Sequence, residues 1–261
     1  MRCLRADVQV AAVALIWVLM NIAEAVRINR LNVPDLVDFG DEAILDCDFT
    51  VGATEHDLVV KWYFNGSQVY QWIPGARNPQ SLGVLKGRVN LEPKPSADTY
   101  GVHRALHISK AGPDLSGNFT CSVSTLESED EETKPMVVLV TEKFFELKLL
   151  RADEGYIRVQ CRADGIFPLP VMTLHSKERE IPKAAVKSKQ EGHLYEISAQ
   201  VTLPELEAPE EFSCKLHIPH ANYTRRRMTL FYPGMSNSAR RTKWPTIYTL
   251  LLIYSSAVQW A

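Results

Sequence analysis

The sequence predicts an all-β protein made of two β-sandwiches in tandem, and three observations predict this fold. Four of its five cysteines form two well-separated sets, Cys47 with Cys121 and Cys161 with Cys214. Apolar and polar residues alternate around each of these cysteines, which is the pattern of half-buried strands. The 261 residues, less an apolar segment near each end, leave room for two domains of roughly 100 residues each.

The first cysteine pair lies in a sequence typical of an immunoglobulin-like sandwich. In the segment EAILDCDF, Ala43, Leu45 and Cys47 fall on one face of a strand. Trp62 follows, and Cys121 ends the segment DLSGNFTC. Such a tryptophan packs against the disulfide that joins the two sheets. We therefore predict a variable-type immunoglobulin-like domain over residues 26–140, with a Cys47–Cys121 disulfide.

The second pair repeats the theme over a shorter span. Cys161 lies in YIRVQCRA and Cys214 in EFSCKL, 53 residues apart, which suits a sandwich without extra strands. The segment CRADGIFPLP is similar to constant-type domains, although Leu174 stands where tryptophan is expected. We predict a constant-like domain over residues 141–232, with a Cys161–Cys214 disulfide.

Residues 1–25 have the organisation of a secretory signal peptide. Arg2 and Arg5 precede the apolar run Val8–Met20, and a small-residue cleavage pattern ends at Ala25. The run is short for a membrane span, which favours a cleaved signal peptide over the alternative, an uncleaved anchor. Secretion agrees with the even number of cysteines that remain, because disulfides form in oxidising compartments.

The other end reads as a glycolipid (GPI) attachment signal. Residues 233–245 are small and polar, and an apolar tail over residues 246–261 follows them. The lipid would be attached at Asn237 or Ser236. A short transmembrane helix is the alternative. Either arrangement would hold the protein at the extracellular face of the plasma membrane.

Three Asn-x-Ser/Thr sequons lie in the secreted part, at Asn65, Asn118 and Asn222. Asn118 precedes Phe119, which alternation places inside, so the asparagine side chain should point outward. The protein is expected to be a glycoprotein.

The segment KWYFNGSQVYQWIPG predicts a hairpin that carries a binding surface. Trp62 and Phe64 should face inward and Tyr63 outward, and Asn-Gly should form the turn. Tyr70 and Trp72 are two residues apart and should share a face. We expect Tyr63, Tyr70 and Trp72 to form an exposed apolar patch that binds a protein partner. The alternative is that Tyr70 and Trp72 pack against the following loop, PGARNPQSLG.

Two charged runs accompany these features. STLESEDEE should form an acidic loop after the Cys121 strand, either as a solvated tip or as a surface that steers a basic partner. Arg225, Arg226 and Arg227 should lie on the last strand, either as a solvated edge or as a contact for lipid head groups or acidic glycans.

Three segments resemble the first domain of the insect beaten-path family of neuronal immunoglobulin proteins: VPDLVDFGDEAILDCDF, VKWYFNGSQVYQWIP and SGNFTCSVS. The resemblance implies a cell-surface receptor for another immunoglobulin-type membrane protein, of the Sidestep kind, and a role in neuronal guidance. A lipid-anchored receptor would in turn need a transmembrane co-receptor. Similarity to variable-type domains also implies an Arg88–Asp114 ion pair.

Other classes of function find little support in the sequence. A net charge of −2 gives no reason to expect a nucleic-acid partner. No catalytic motif is present, and His217 and His220 are too few for a metal site, so we expect neither an enzyme nor a cofactor. A secreted immune or scavenging factor that binds microbial or small ligands is the alternative function.

Overall fold

The computed structural model describes residues 25–53, 55–92, 100–152 and 155–234. This part of the chain contains eighteen β-strands and three short 3₁₀ helices, so the predicted all-β class is confirmed. The predicted signal peptide up to residue 24, the attachment residues Ser236 and Asn237, and the apolar tail lie outside the described residues.

The first sandwich contains ten strands. They are β1 (Arg27–Asn32), β2 (Leu36–Asp38), β3 (Ala43–Thr50), β4 (Val59–Phe64), β5 (Ser67–Ile73), β6 (Arg77–Ser81), β7 (Val89–Asn90), β8 (Leu106–Ile108), β9 (Gly117–Ser124) and β10 (Glu129–Leu139). The 3₁₀ helices Gly83–Leu85 and Pro113–Leu115 connect some of them. One sheet has the order β1-β3-β8-β7, and the other has the order β2-β10-β9-β4-β5-β6.

This strand order is that of a variable-type domain. β5 and β6 extend the larger sheet beyond β4, as the extra strands of variable domains do. The first strand is split between the sheets: β1 pairs with β3, and β2 pairs in parallel with β10. Pro34 lies at the crossing, and because proline lacks an N–H it cannot continue the ladder of β1.

The core of the first sandwich is built around the predicted disulfide and tryptophan. Cys47 and Cys121 are bonded, and Trp62 lies opposite Cys121 in the β4–β9 register. The indole is fully buried, and its N–H donates to the backbone oxygen of Arg104 at 3.4 Å. Phe119 is also fully buried, with its ring 4.9 Å from that of Phe64. Phenylalanine therefore fills the core where many such domains carry a tyrosine.

The ion pair implied by the resemblance to variable-type domains is present. Arg88 Nη1 lies 2.5 Å from the Asp114 carboxylate, and a second guanidinium nitrogen donates to the backbone oxygen of Lys110 at 3.1 Å. These bonds link the segment before β7 to the turn before β9, where the two sheets are joined.

The second sandwich contains eight strands. They are β11 (Phe144–Arg151), β12 (Tyr156–Ile166), β13 (Val171–Ser176), β14 (Arg179–Glu180), β15 (Ala185–Glu191), β16 (Leu194–Pro204), β17 (Glu210–Ile218) and β18 (Tyr223–Phe231). The sheets have the orders β11-β12-β16-β15 and β14-β13-β17-β18, and the third 3₁₀ helix is Pro219–Ala221. Cys161 and Cys214 form the second disulfide. Leu174 lies opposite Cys214 and is fully buried, so leucine fills the position expected for tryptophan.

The connection between the sandwiches is short and is bonded to the second one. Val140 exchanges two backbone hydrogen bonds with Phe167, at 2.9 and 3.0 Å. Leu139 is buried in the second hydrophobic core. Glu142 accepts a hydrogen bond from the Tyr223 hydroxyl at 2.9 Å and lies 3.3 Å from Arg225. The segment that leaves the first domain is thus part of the second.

Candidate binding surface

The outward side of the six-stranded sheet is called the front face below; the other sheet of the first domain has four strands. Trp62 and Phe64 of β4 are buried, while Lys61 and Tyr63 are partly exposed on the front face, as alternation predicts. Tyr63 lies opposite Thr120 of β9. Tyr63 therefore lies in the interior of the sheet rather than at its edge.

The expectation that Tyr70 and Trp72 are exposed is wrong. Their exposed fractions are 2% and 6%. In the β4–β5 register, Trp62 pairs with Tyr70 but Tyr63 pairs with Gln68. The extra residue, Val69, forms a β-bulge and is itself buried. The bulge therefore buries Val69 and its neighbour Tyr70 together, and it turns Tyr70 and Trp72 to the inside, where strict alternation would place them outside.

Tyr70 and Trp72 instead hold the hairpin against the segment before β8. The Tyr70 hydroxyl donates to the backbone oxygen of His103 at 2.7 Å, and the Trp72 ring meets the His103 ring edge-on at 5.4 Å. Burial raises the pKa of Tyr70 and lowers the pKa of His103, because both charged forms lose hydration. Both aromatic residues are therefore structural, as the alternative interpretation held, although His103 is a main contact.

The front face itself is mostly polar. Its side chains hydrogen-bond in cross-strand or same-strand pairs: Thr120 with Thr133 at 2.8 Å, Ser122 with Glu129 at 3.0 Å, and Gln68 with Gln71 at 2.9 Å. Tyr63 is surrounded by these pairs, which limit the conformations of its neighbours. A tyrosine on a polar, internally bonded sheet is a suitable contact for a protein partner, since tyrosine combines apolar area with a hydroxyl.

The predicted acidic loop is largely a strand. The loop comprises residues 125–128 only, and β10 begins at Glu129. Asp130 accepts a hydrogen bond from the backbone N–H of Ile28 at 2.7 Å, so this carboxylate joins β1 to β10. Glu131 lies opposite Ser122, next to the centre of the front face. The acidic run therefore places most of its negative charge along β10, and not on a long loop.

Residues 125–128, called the tip loop below, form a closed turn. Thr125 N–H donates to the Ser128 oxygen at 2.8 Å, and Ser128 N–H donates to Thr125 Oγ1 at 3.0 Å. Leu126, between them, is 75% exposed, the highest value of any large hydrophobic residue in the described part of the chain. Sequence reasoning missed this leucine because a single apolar residue in an acidic run carries no periodic signal.

The first two predicted glycosylation sites lie side by side. Asn65 and Gly66 have positive φ angles of 48° and 79°, which suit the predicted Asn-Gly turn. The Asn65 N–H donates to the Asn118 oxygen at 2.9 Å, and the Asn118 N–H donates to Asn65 Oδ1, also at 2.9 Å. Both asparagines are exposed, and so is Asn222, which follows the last 3₁₀ helix.

The three arginines of β18 mainly bind residues of their own sandwich. Arg225 pairs with Glu142, and Arg226 lies 2.5 Å from Glu178. Arg227 donates to the Phe145 oxygen at 3.2 Å and lies 5.8 Å from the centre of its ring. These contacts join β18 to both sheets, so the run has a structural explanation.

No metal centre is found within the described ranges: no three or more His, Cys, Asp or Glu side chains cluster as ligands there. His217 instead lies 2.9 Å from the Thr224 hydroxyl. Across the same residues, no helix has the length and apolar character needed to span a membrane.

Comparison with known proteins identifies the fold. No protein-family model matches the chain, and no curated protein matches its sequence. A solved structure of bovine butyrophilin superposes with a TM-score of 0.62 at 16% identity, covering 76% of this chain and 95% of that chain. A chain from the complex of ICOS with ICOS-L and an anti-ICOS-L VNAR domain gives a TM-score of 0.60 at 13% identity, covering 74% and 97%.

The chain is a tandem of immunoglobulin-like sandwiches. Both neighbours match almost over their whole length, so the likeness includes the succession of two domains and not one sandwich alone. At these identities the likeness concerns the immunoglobulin-like fold alone.

Proposed function

We propose that this protein is a cell-surface recognition receptor that binds another immunoglobulin-superfamily membrane protein through the front face of its first domain. The observation that carries the proposal is the accessible front face, with Tyr63 set among hydrogen-bonded polar side chains. Interfaces between soluble domains use such surfaces, in which a few aromatic anchors supply most of the binding energy. Tyr70 and Trp72 support this face from the inside.

The resemblance to the beaten-path family supports a partner of the Sidestep kind on another cell, and a role in neuronal guidance. The second neighbour is a chain from a complex of ICOS with ICOS-L, so a chain of this fold does take part in a protein–protein complex. Contacts of this kind between membranes are usually weak singly and depend on many copies acting together.

We further propose that residues 1–25 direct secretion and that a glycolipid at Ser236 or Asn237 holds the mature protein on the cell surface. The order of small residues, polar spacer and apolar tail supports this anchor. A lipid anchor crosses no membrane, so a transmembrane co-receptor would transmit the signal. Glycans at Asn65, Asn118 and Asn222 are part of the same proposal.

The test uses cells that display the full chain, with an epitope tag between residues 233 and 234, after the last strand of the second domain, to measure surface level. These cells are stained with multimerised immunoglobulin-superfamily ectodomains that include Sidestep-type proteins, and with a multimerised second copy of this chain. We expect one panel member to bind, and we expect Tyr63→Ala to weaken its binding about tenfold.

Tyr156→Ala is the matched control, because Tyr156 is 49% exposed but belongs to the second domain. Equal binding by the wild type and Tyr63→Ala, at equal surface level, would contradict a front-face interface. If no panel ectodomain stains cells that display the protein well, the result would contradict the receptor function and favour a secreted binding factor.

A further inference from the structure

The tip loop holds Leu126 in a fixed position at the end of the first domain where β9 connects to β10. Besides the two bonds that close the turn, the Leu126 N–H donates to the His56 oxygen at 3.2 Å. The His56 N–H in turn donates to the Glu127 carboxylate at 3.1 Å, and the Thr125 hydroxyl donates to the Glu55 carboxylate. The loop before β4 and the tip loop are therefore joined by bonds from both sides of the leucine.

This bonding changes what the exposure of Leu126 implies. Single apolar residues on a surface are common and by themselves need no explanation. Here the backbone on either side is already ordered, so a partner that covers the leucine would not lose affinity to ordering the loop. Every other residue of the tip loop is polar, so Leu126 is its one apolar side chain.

The surroundings of Leu126 are acidic. The two loops at this end, residues 51–58 and 125–128, carry Glu55, Asp57 and Glu127 and contain neither lysine nor arginine. Glu129 follows at the start of β10. Two positive charges are also at this end. Arg27 belongs to β1 in the opposite sheet, and cleavage after Ala25 would leave an ammonium group on Val26, whose backbone nitrogen lies 2.9 Å from Ser128 Oγ. The four carboxylates outnumber them. Carboxylates around an apolar anchor favour approach by a basic surface and disfavour an acidic one.

The glycosylation sequons of the first domain lie away from this end. Asn118 is near the beginning of β9 and Ser124 ends it, so the strand separates the sequon from the tip loop by roughly 20 Å. Asn65 contacts Asn118 and lies at the same far end. Sugars at these positions would cover the end of the front face that lies away from the tip loop, and they would leave Leu126 accessible.

We propose that Leu126 is the apolar anchor of the recognition surface, and that it enters an apolar pocket rimmed by lysine or arginine side chains on the protein partner. This inference rests on the proposed receptor function and deepens it by naming the contact and the partner's chemistry. The acidic residues of the tip loop and β10 face the basic rim, and Tyr63 contacts the partner farther along the front face.

The experiment measures binding of the panel ectodomain that stains the displayed full chain. Leu126→Ala is expected to weaken that binding ten- to a hundredfold, since it removes a fully buried leucine side chain from the complex. Phe39→Ala is the control: Phe39 is 62% exposed and lies beside Leu139, at the other end of β10. It should bind as the wild type does.

A second variant tests the charge. In Glu127→Gln the side-chain oxygen still accepts the His56 bond, so the loop stays closed while one charge is lost. We expect binding to weaken two- to fivefold at low salt and the difference to shrink at 0.5 M salt, because mobile ions screen exposed charges.

The outcomes separate this inference from the receptor function. Loss of binding in Tyr63→Ala but not in Leu126→Ala would overturn the anchor and leave the front face in place. A Leu126→Ala loss with unchanged affinity and salt response in Glu127→Gln would overturn the basic rim. If no ectodomain of the panel binds the displayed chain, both the anchor and the receptor function would be overturned.

Discussion

The hydroxyl of Tyr70 donates a hydrogen bond to the backbone oxygen of His103, with 2.7 Å between the two oxygens. This bond ties the strand that follows the Asn65-Gly66 turn to the segment before β8. It explains why a tyrosine, rather than a phenylalanine, occupies a buried position here: buried backbone oxygens need a donor.

Tyr70→Phe should therefore destabilise the protein without affecting partner binding. The ring still fills the core, but the His103 oxygen loses its donor, which costs about 0.5–1.5 kcal/mol. Chemical denaturation of the purified protein measures the change. If the variant were as stable as the wild type, the bond would contribute nothing to folding.

The same residue should make stability fall at high pH. Burial raises the pKa of Tyr70, so the folded protein keeps the phenol proton where the unfolded chain, with a pKa near 10.0, loses it. The unfolded state then binds fewer protons than the folded state, so the free energy of unfolding decreases as pH rises above about 10. The decrease between pH 9.5 and 11 should be smaller in Tyr70→Phe than in the wild type. Parallel curves would contradict this role.

Trp72→Ala should act on folding rather than on recognition directly. Trp72 is buried against His103, and removing such a side chain from a core costs about 3–5 kcal/mol. We expect a lower midpoint of unfolding and less protein on the cell surface. Tyr63→Ala is the matched comparison, since its partly exposed ring should change stability by less than about 1 kcal/mol. Wild-type stability in Trp72→Ala would show that the indole is not part of the core.

Glu142→Ala should weaken the second domain. The Glu142 side chain is 8% exposed and accepts the Tyr223 hydroxyl bond, so its removal leaves that hydroxyl without its acceptor and also removes the ion pair with the exposed Arg225. We expect a loss of about 1–3 kcal/mol in the free energy of unfolding. Glu132→Ala is the control, because that carboxylate is 41% exposed and its ion pair with Lys134, at 3.8 Å, should contribute little to stability. Equal effects of the two substitutions would argue against a role for Glu142.

If a glycolipid anchors the protein, an enzyme that cleaves the anchor should release the protein from the cell surface. Phosphatidylinositol-specific phospholipase C should move the tagged protein from the cell surface to the medium, because it cleaves the lipid and leaves the polypeptide whole. Replacing Ser236 and Asn237 together by bulky residues should reduce display, since attachment needs small residues at this position. Protein that stays on cells after the treatment would indicate the transmembrane helix instead.

The sequence by itself determined the features that depend on local spacing. The Cys47–Cys121 and Cys161–Cys214 pairs, the buried Trp62 and the Asn65-Gly66 turn all follow from alternation, turn preference and the cysteine–tryptophan pattern. Each feature is indicated by one short stretch of chain or by a pair of such stretches, and each stretch carries the chemical reason for its own conformation.

Only the tertiary structure decided which way the residues after that turn face. Val69 is an extra residue in the β4–β5 register, and a bulge there depends on what lies beneath the strand: His103, more than thirty residues away, supplies the contacts that keep Tyr70 and Trp72 inside. The same holds for Leu126, whose position is set by bonds from the loop before β4. Alternation in a sequence gives a strand its period, but its register and the packing of distant segments against it select the face.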